Sequence, residues 1–511
     1  MLFYLPLLLL GVQSLYQFFF ITLQRLAYPF ELEWMEGAML HQVSRVLSGQ
    51  SLYGEPALAF VPALYMPFYY FVSAAVADVV GLDFFALRAV SFSATIGIFA
   101  VLFFTAREIT GRWLAGVFAV CAYSALFPYT AYWFDVARAD SLWTLLLLSA
   151  AAALVSFQQT QKPRWLLVSV IAWAMAFFTK QASCFLLPFL GLVVWCWGSF
   201  RLAIAYAIAI VLVVALGLWH LQLNTGERFL FYTLQMASSH GVTAFGFERF
   251  FKDILFNSGG FLLVGISFLF VMQGSRRQRS GWILLFAGFV TVSMISRAYA
   301  GAFFNVLMPL YAALALFAAC AYYQLAQYAG VSWLRTASVG LLAFWLPFNS
   351  YRATVYDPVL QVPTVQDRAT AEWLQARIAA VPGRVCLFSH SYIAYKAGKG
   401  FCAHNTQVTD LVQGSDADLS ARFLADARAG ILRGDYAVLI LDREKELADL
   451  GLSLEEIPYD ASPITYPDGK MKFVVNGTSP SLWLQMNPAK VPHTQKSLAP
   501  NSLSDLKIPR T

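Results

Sequence analysis

Charge is what this sequence has least of. Asp, Glu, Lys and Arg make up 13% of its 511 residues, against about 25% in a soluble globular domain. An ordinary water-soluble protein is excluded. Histidine and cysteine are equally sparse, six of each, with no Cys-x-x-Cys pair and no zinc-type His spacing, which excludes a zinc ribbon or a disulfide scaffold. Cys121, Cys184, Cys196 and Cys320 fall in apolar runs and read as small core residues. P-loop, H-E-x-x-H, G-x-S-x-G and Rossmann signatures are all missing. No cytoplasmic loop is long enough to build a nucleotide-sugar site.

The charge that exists is unevenly spread. Residues 1–348 hold 18 Lys/Arg and 12 Asp/Glu, whereas residues 349–511 hold 17 and 17. The net +6 therefore lies in the apolar part. It reads as orientation in a bilayer, not as nucleic-acid binding.

Long apolar runs are what the sequence has instead. A transmembrane helix needs about 20 residues. Stretches of that order lie near 3–24, 63–80, 88–106, 113–130, 141–157, 165–180, 182–200, 202–219, 255–273, 281–296, 304–324 and 333–348. The first has no basic leader region and no small-residue cleavage site, so it predicts a retained span. Arg107/Arg112, Lys162/Arg164, Arg201, Arg276/Arg277/Arg279 and Arg335 sit in tight turns that contain one acid, Glu108. Basic density of this kind marks the cytoplasmic side. The turns share that side with the N-terminus if 63–80, broken by Pro62 and Pro67 and ending in Asp78, lies in the interface within an external loop near 25–87. Residues 35–48 predict an amphipathic helix in the same loop, with Gly49 as its stop. The expected fold is a polytopic α-helical membrane protein with about eleven transmembrane helices plus interfacial helices. Its N-terminus is cytoplasmic and its C-terminal domain extracytoplasmic.

Residues 349–478 change character. Helices near 365–380 and 417–431 alternate with strands at 384–389 and 436–441, which predicts a small α/β domain. Cys386 and Cys402 are placed to pair if that domain is extracytoplasmic. The Ser-, Pro-, Asn- and Lys-rich residues 479–511 read as a disordered tail.

Chemistry concentrates on the external side. Glu31, Glu33 and Glu36 crowd the segment after the first span, and Glu33 and Glu36 are three apart, a spacing that suits one helical face. Asp135 and Asp140 flank Arg138 at the external end of another span. Charges at bilayer depth are costly unless paired or wet, so they mark candidate sites. Lys180 and Arg297 are candidate phosphate contacts, and snorkelling to headgroups is the competing explanation. His220 and His240 share a loop with Glu227 and Glu248 without metal-ligand spacing.

The segments Phe30–Gly37, Val43–Tyr53, Phe60–Pro67, Ala137–Leu142, Thr179–Gln181 and Asn305–Pro309 together resemble the GT-C membrane glycosyltransferases. Among these it is similar to the protein O-mannosyltransferases and the lipid A aminoarabinose transferases. The resemblance implies an acidic first external loop with interfacial helices, a polyprenyl-phosphate-linked sugar donor bound from the membrane, and an acidic base in that loop. Met35 stands where the family's Asp of an Asp-Glu pair would be, beside the matching Glu36, so Glu33 is the preferred base. Glu36 is then an orienting carboxylate or a ligand of a divalent metal ion, whose involvement the sequence leaves open. Arg138, Lys180 and Arg297, with Glu31 and Asp140, make up the donor-phosphate and substrate contacts, with Asp140 holding Arg138. The implied function is an inverting glycosyltransferase acting on a glycan, lipid or protein hydroxyl at a bacterial inner membrane. A transporter or flippase of lipid-linked substrates is the alternative, although no inverted repeat supports it. A membrane-anchored sensor is a third reading, for which eleven spans are more than an anchor needs.

Overall fold

The computed structural model describes residues 5–328, 351 and 354–491, apart from 240, 273 and 468. The expected span at 333–348, Arg335 and His240 lie outside the described residues. Two compact units emerge, Met1–Gly54 with Ala63–Pro363, and Glu55–Pro62 with Thr364–Thr511.

The first unit is helical. Its helices are α1 (Leu5–Leu26), α2 (Glu36–Leu47), α3 (Phe68–Val80), α4 (Phe84–Thr110), α5 (Trp113–Ala125), α6 (Asp140–Thr160) and α7 (Arg164–Thr179). They continue as α8 (Leu187–Trp197), α9 (Phe200–Asn224), α10 (Ala244–Lys252), α11 (Ser258–Val271), α12 (Arg276–Ala298) and α13 (Met308–Tyr328). Every apolar stretch read from residues 5 to 328 carries a helix. Local chemistry sets the ends: the Asp83 carboxylate accepts from the Phe84 amide at the start of α4, and Gly111 stops it at φ +70°. A Ser275–Gln278 capping box starts α12.

Six segments among the described residues are both long and apolar enough to cross a membrane: Phe84–Thr110, Asp140–Thr160, Phe200–Asn224, Ala244–Phe270, Arg276–Ala298 and Phe304–Gln324. Helices α3, α5, α7 and α8 are shorter, so helix length alone does not reproduce the expected count of crossings. The α3 helix, 13 residues, rises about 20 Å, less than the roughly 30 Å hydrocarbon core.

The α2 helix departs from the amphipathic expectation. Its first eight residues, Glu36 to Val43, are all buried, polar ones included, whereas its last residue, the apolar Leu47, is 39% exposed. Glu36 is buried because it is bonded inside the protein, as described below, whereas the Gln42 side chain has no hydrogen-bond partner among the described residues.

The second unit holds a four-stranded sheet, β1 (Val385–Leu387), β2 (Val438–Leu441), β3 (Tyr459–Pro463) and β4 (Leu482–Met486), in the order β1-β2-β4-β3. The β1–β2 pair is parallel and the others antiparallel. Helices Val365–Ala379 and Ala417–Arg433 lie where the sequence placed them. One inner strand was not foreseen: β4, paired with both β2 and β3, falls within the stretch read as disordered tail. Its Trp483 and Leu484 are buried, and pairing with β2 outweighs the polar composition around it. Residues 55–62 pack in this unit too, Leu58 O accepting from Ala403 N at 2.9 Å. Cys386 and Cys402 are disulfide-bonded.

Candidate active site

Six charged residues singled out in the sequence, with Arg25 and Arg88, form four pairs in the first unit, each joining segments distant along the chain. Arg25 bonds Asp135 at 3.2 Å, Arg88 bonds Glu36 at 2.6 Å, Arg138 bonds Glu33 at 2.8 Å and Lys180 bonds Asp140 at 2.6 Å. All eight side chains are buried. A buried charge survives only when paired and hydrogen-bonded, so these pairs fix how the loop after α1 meets α4, α6 and the end of α7.

The three glutamates separate by role. Glu31 Oε1 accepts from Gly37 N at 2.9 Å, a carboxylate at the positive end of α2. Glu36 accepts from Leu32 N (2.7 Å), Ala137 N (2.7 Å), Arg88 Nη2 (2.6 Å) and Arg88 Nε (3.0 Å). Both of its oxygens are committed to protein donors. The residues present therefore do not suit it to hold a metal ion, and among the described residues no group of three His, Cys, Asp or Glu side chains converges as metal ligands.

Glu33 differs. One oxygen, Oε2, accepts from Arg138 Nη1 and from Met35 N at 3.2 Å; Oε1 has no hydrogen bond among the described residues. Burial pushes its carboxyl up to about 7, against the opposing pull of Arg138. Glu33 and Glu36 do not share a helical face. Glu33 precedes α2 and Glu36 opens it, so the two point to different cations.

Asp140 hydrogen-bonds Lys180, not Arg138 as the sequence suggested, and also accepts from the Trp133 indole at 3.0 Å. Lys180 caps the C-terminus of α7, the neighbour of α6, so its amine reaches the first residue of α6 directly. It sits 5.0 Å from the Trp143 ring centre and 5.5 Å from that of Tyr65. Arg138 lies over the Trp133 ring at 5.5 Å and reaches the Tyr65 hydroxyl at 3.5 Å. Arg297 is buried but bonded to Asp253 at 2.8 Å. Among the described residues its links toward the others run through rings, over Phe304 at 5.0 Å, from Phe304 to Phe303, and from Phe303 to Trp133 at 5.4 Å. His220 is a surface residue bonded to Asn224, and Glu248 forms an exposed pair with Lys252.

Three residues escaped the sequence reading, Arg25 of the Asp135 pair among them. Arg88 donates to Glu36 and to the carbonyls of Arg25, Tyr28 and Phe30, tying the end of α1 to the acidic loop. A lone arginine inside the apolar run 88–106 was the available signal. Tyr65 touches both site cations and gave none, being one aromatic among many. The loop before α6 is strained as well: Ala131 and Tyr132 have φ of 54° and 60°, values L residues rarely adopt.

Residues 61–220 match the family described as dolichyl-phosphate-mannose-protein mannosyltransferase. That range includes Tyr65, Arg88, Arg138, Asp140 and Lys180. Among solved structures, the chain is similar to ArnT from Cupriavidus metallidurans bound to undecaprenyl phosphate, with TM-score 0.60 and 12% identity over 95% of this chain and 99% of that one. It is also similar to the archaeal oligosaccharyltransferase AglB from Archaeoglobus fulgidus, in complex with an inhibitory peptide and a dolichol-phosphate. There the TM-score is 0.53 and the identity 11%, over 96% of this chain and 75% of that one. Comparison with curated proteins gives no match. At such identities the structural likeness is one of fold: the chain has the GT-C fold of integral membrane enzymes. The resemblance read from the sequence and its class, a glycosyltransferase, are borne out.

Proposed function

We propose that this chain transfers a sugar from a polyprenyl-phosphate donor to an acceptor hydroxyl at the extracytoplasmic face of a bacterial inner membrane, with inversion at the anomeric carbon. One observation carries the reading. A buried carboxylate with an uncommitted oxygen, Glu33, stands beside Arg138, and Tyr65 links Arg138 to a second cation, Lys180.

The chemistry follows from the parts. An acceptor hydroxyl is a weak nucleophile until its proton leaves, and a base that titrates near the working pH removes it best. Glu33, held near 7 by burial, is that base. As the acceptor oxygen bonds the anomeric carbon, the bond from that carbon to the phosphate oxygen breaks. Its electron pair stays on the lipid phosphate, and the acceptor proton goes to Glu33. Arg138 and Lys180 face the developing phosphate charge, where fixed cations lower the barrier most. Glu36, with Arg88, orients the loop that presents Glu33. Arg297 serves the donor end more remotely, through its aromatic neighbours.

The lipid phosphates named for ArnT and AglB, and the peptide named for AglB, support a lipid-linked donor and leave glycan, lipid and protein acceptors open. The disulfide supports an oxidising, extracytoplasmic location for the second unit. Transfer from a panel of polyprenyl-phosphate sugars to envelope acceptors, by wild type and by Glu33→Gln, tests the proposal. Transfer by the wild type that persists undiminished in the variant removes Glu33 from the mechanism.

A further inference from the structure

The two residues assigned to opposite halves of the reaction are bonded to each other. Glu33 Oε2 and Arg138 Nη1 are 2.8 Å apart, with side chains 1% and 6% exposed. Arg138 offers its other terminal nitrogen only a long contact, 3.5 Å to the Tyr65 hydroxyl. Lys180 and Arg297 each have a short partner that takes no part in proton transfer, Asp140 and Asp253. Among the site cations, Arg138 alone has the proposed base as its partner.

We infer that the donor phosphate releases the base: by engaging Arg138 it displaces that guanidinium from Glu33, so that donor binding must precede proton abstraction from the acceptor. This rests on the phosphate-donor reading above and adds an order of events to it.

Two effects point the same way. A phosphate sharing Arg138 takes away the cation that favours the Glu33 carboxylate, and it sets a second negative charge nearby. Both make Glu33 hold a proton more tightly, which is what a stronger base does. By linkage, donor binding favours the protonated carboxyl, so the donor binds less tightly as pH rises past the titration of Glu33, and any proton taken up there leaves to solvent before the carboxylate accepts the acceptor's. The other charged groups around Glu33 are already committed. Arg88 of α4 and Glu36 of α2 are bonded to each other, as are Lys180 and Asp140 of α6, and Arg25 of α1 and Asp135. The neighbouring phenols are those of Tyr65, Tyr69 and Tyr70.

The test is equilibrium binding of the methyl diester of undecaprenyl phosphate, a probe with one fixed negative charge, to the full chain in nanodiscs. Wild type, Glu33→Gln and Glu33→Asp are compared from about pH 6 to pH 9. The wild-type dissociation constant should rise toward about tenfold per pH unit above neutrality. Glu33→Gln should be flat and bind about tenfold more tightly than wild type at the alkaline end. Glu33→Asp keeps the charge and should keep the slope. A wild-type slope that survives in Glu33→Gln, or weaker binding by that variant at the alkaline end, overturns the release of the base while leaving the donor reading intact. Absence of binding by every variant, together with no transfer from any polyprenyl-phosphate sugar by the wild type, overturns the donor reading itself.

Discussion

Glu36 and Arg88 meet as a fork, Nη2 to Oε2 at 2.6 Å and Nε to Oε1 at 3.0 Å, with neither side chain exposed. The same guanidinium donates to three carbonyls of residues 25–30. The pair is therefore a clasp on the loop that carries Glu33. Removing one partner of a buried ion pair costs about 3–5 kcal/mol, because the other charge is left unmatched. Arg88→Met should lower the melting temperature of the purified protein markedly and remove transfer with it. A variant that melts like wild type shows that the clasp is dispensable.

Glu33→Gln should separate activity from stability. Glu33 is held near 7 by burial, so its charge is costly in the folded state, and a neutral isostere removes that cost while leaving the buried Arg138 without its ion-pair partner. The two effects oppose each other, so the melting temperature should fall less than in Glu36→Gln, while transfer falls by about 10²–10⁴. Equal destabilisation would make Glu33 one more structural carboxylate.

Much of this site was legible because charges are rare in an apolar chain. Glu33, Arg138, Asp140 and Lys180 stood out for that reason alone, and the structure brings them together. What the sequence did not show was the pairing. Asp135, Arg138 and Asp140 are near neighbours along the chain, yet each bonds a partner from another segment, Arg25, Glu33 and Lys180. Tertiary packing decides such matches, and one-dimensional spacing carries no record of it. The helices were readable because hydrophobic runs of that length have few other uses. Strand β4 was not, since its five residues sit among Ser, Pro and Asn and gain their order from β2 and β3.

Lys180 and Asp140 give a third contrast. If Lys180 faces the donor phosphate, Lys180→Met should raise the donor KM by about 10- to 100-fold, the range of one charge-assisted hydrogen bond. It also strands Asp140, so some stability is lost. The double variant Lys180→Met/Asp140→Leu removes both charges and should recover the melting temperature without recovering the KM. Recovery of both would make the pair purely structural.

In the second unit, Ser389, His390, Asp442 and Glu446 form a buried network at the ends of β1 and β2. Ser389 donates to Glu446, the Asp442 amide donates to Glu446 at 2.9 Å, and His390 Nε2 lies 3.3 Å from Asp442. Burial beside Asp442 pushes Glu446 up to about 7, above its ordinary value of about 4.3. A carboxyl raised on folding contributes stability at low pH, and that contribution is lost as pH rises from the ordinary value through about 7. Asp442, held low chiefly by His390, opposes this only in acid. Amide exchange of residues 438–446, corrected for intrinsic rate, should therefore speed up between about pH 5 and pH 7 (about tenfold at most per unit) and level off above it. Glu446→Gln should abolish the change. Identical pH profiles for the two proteins would mean that Glu446 carries no such burden.

The Cys386–Cys402 disulfide closes a separation of 16 residues, for which chain entropy predicts about 3 kcal/mol of stabilisation. Reduction, or Cys386→Ala/Cys402→Ala, should lower the melting temperature of the second unit. The bond also reports location, because disulfides persist in oxidising compartments and not in the cytosol. In a variant with Cys121, Cys184, Cys196 and Cys320 replaced by serine, denatured protein from growing cells should resist alkylation until it is reduced. Alkylation of both thiols without prior reduction would place the domain on the reducing side of the membrane, and the extracytoplasmic orientation would have to be reversed.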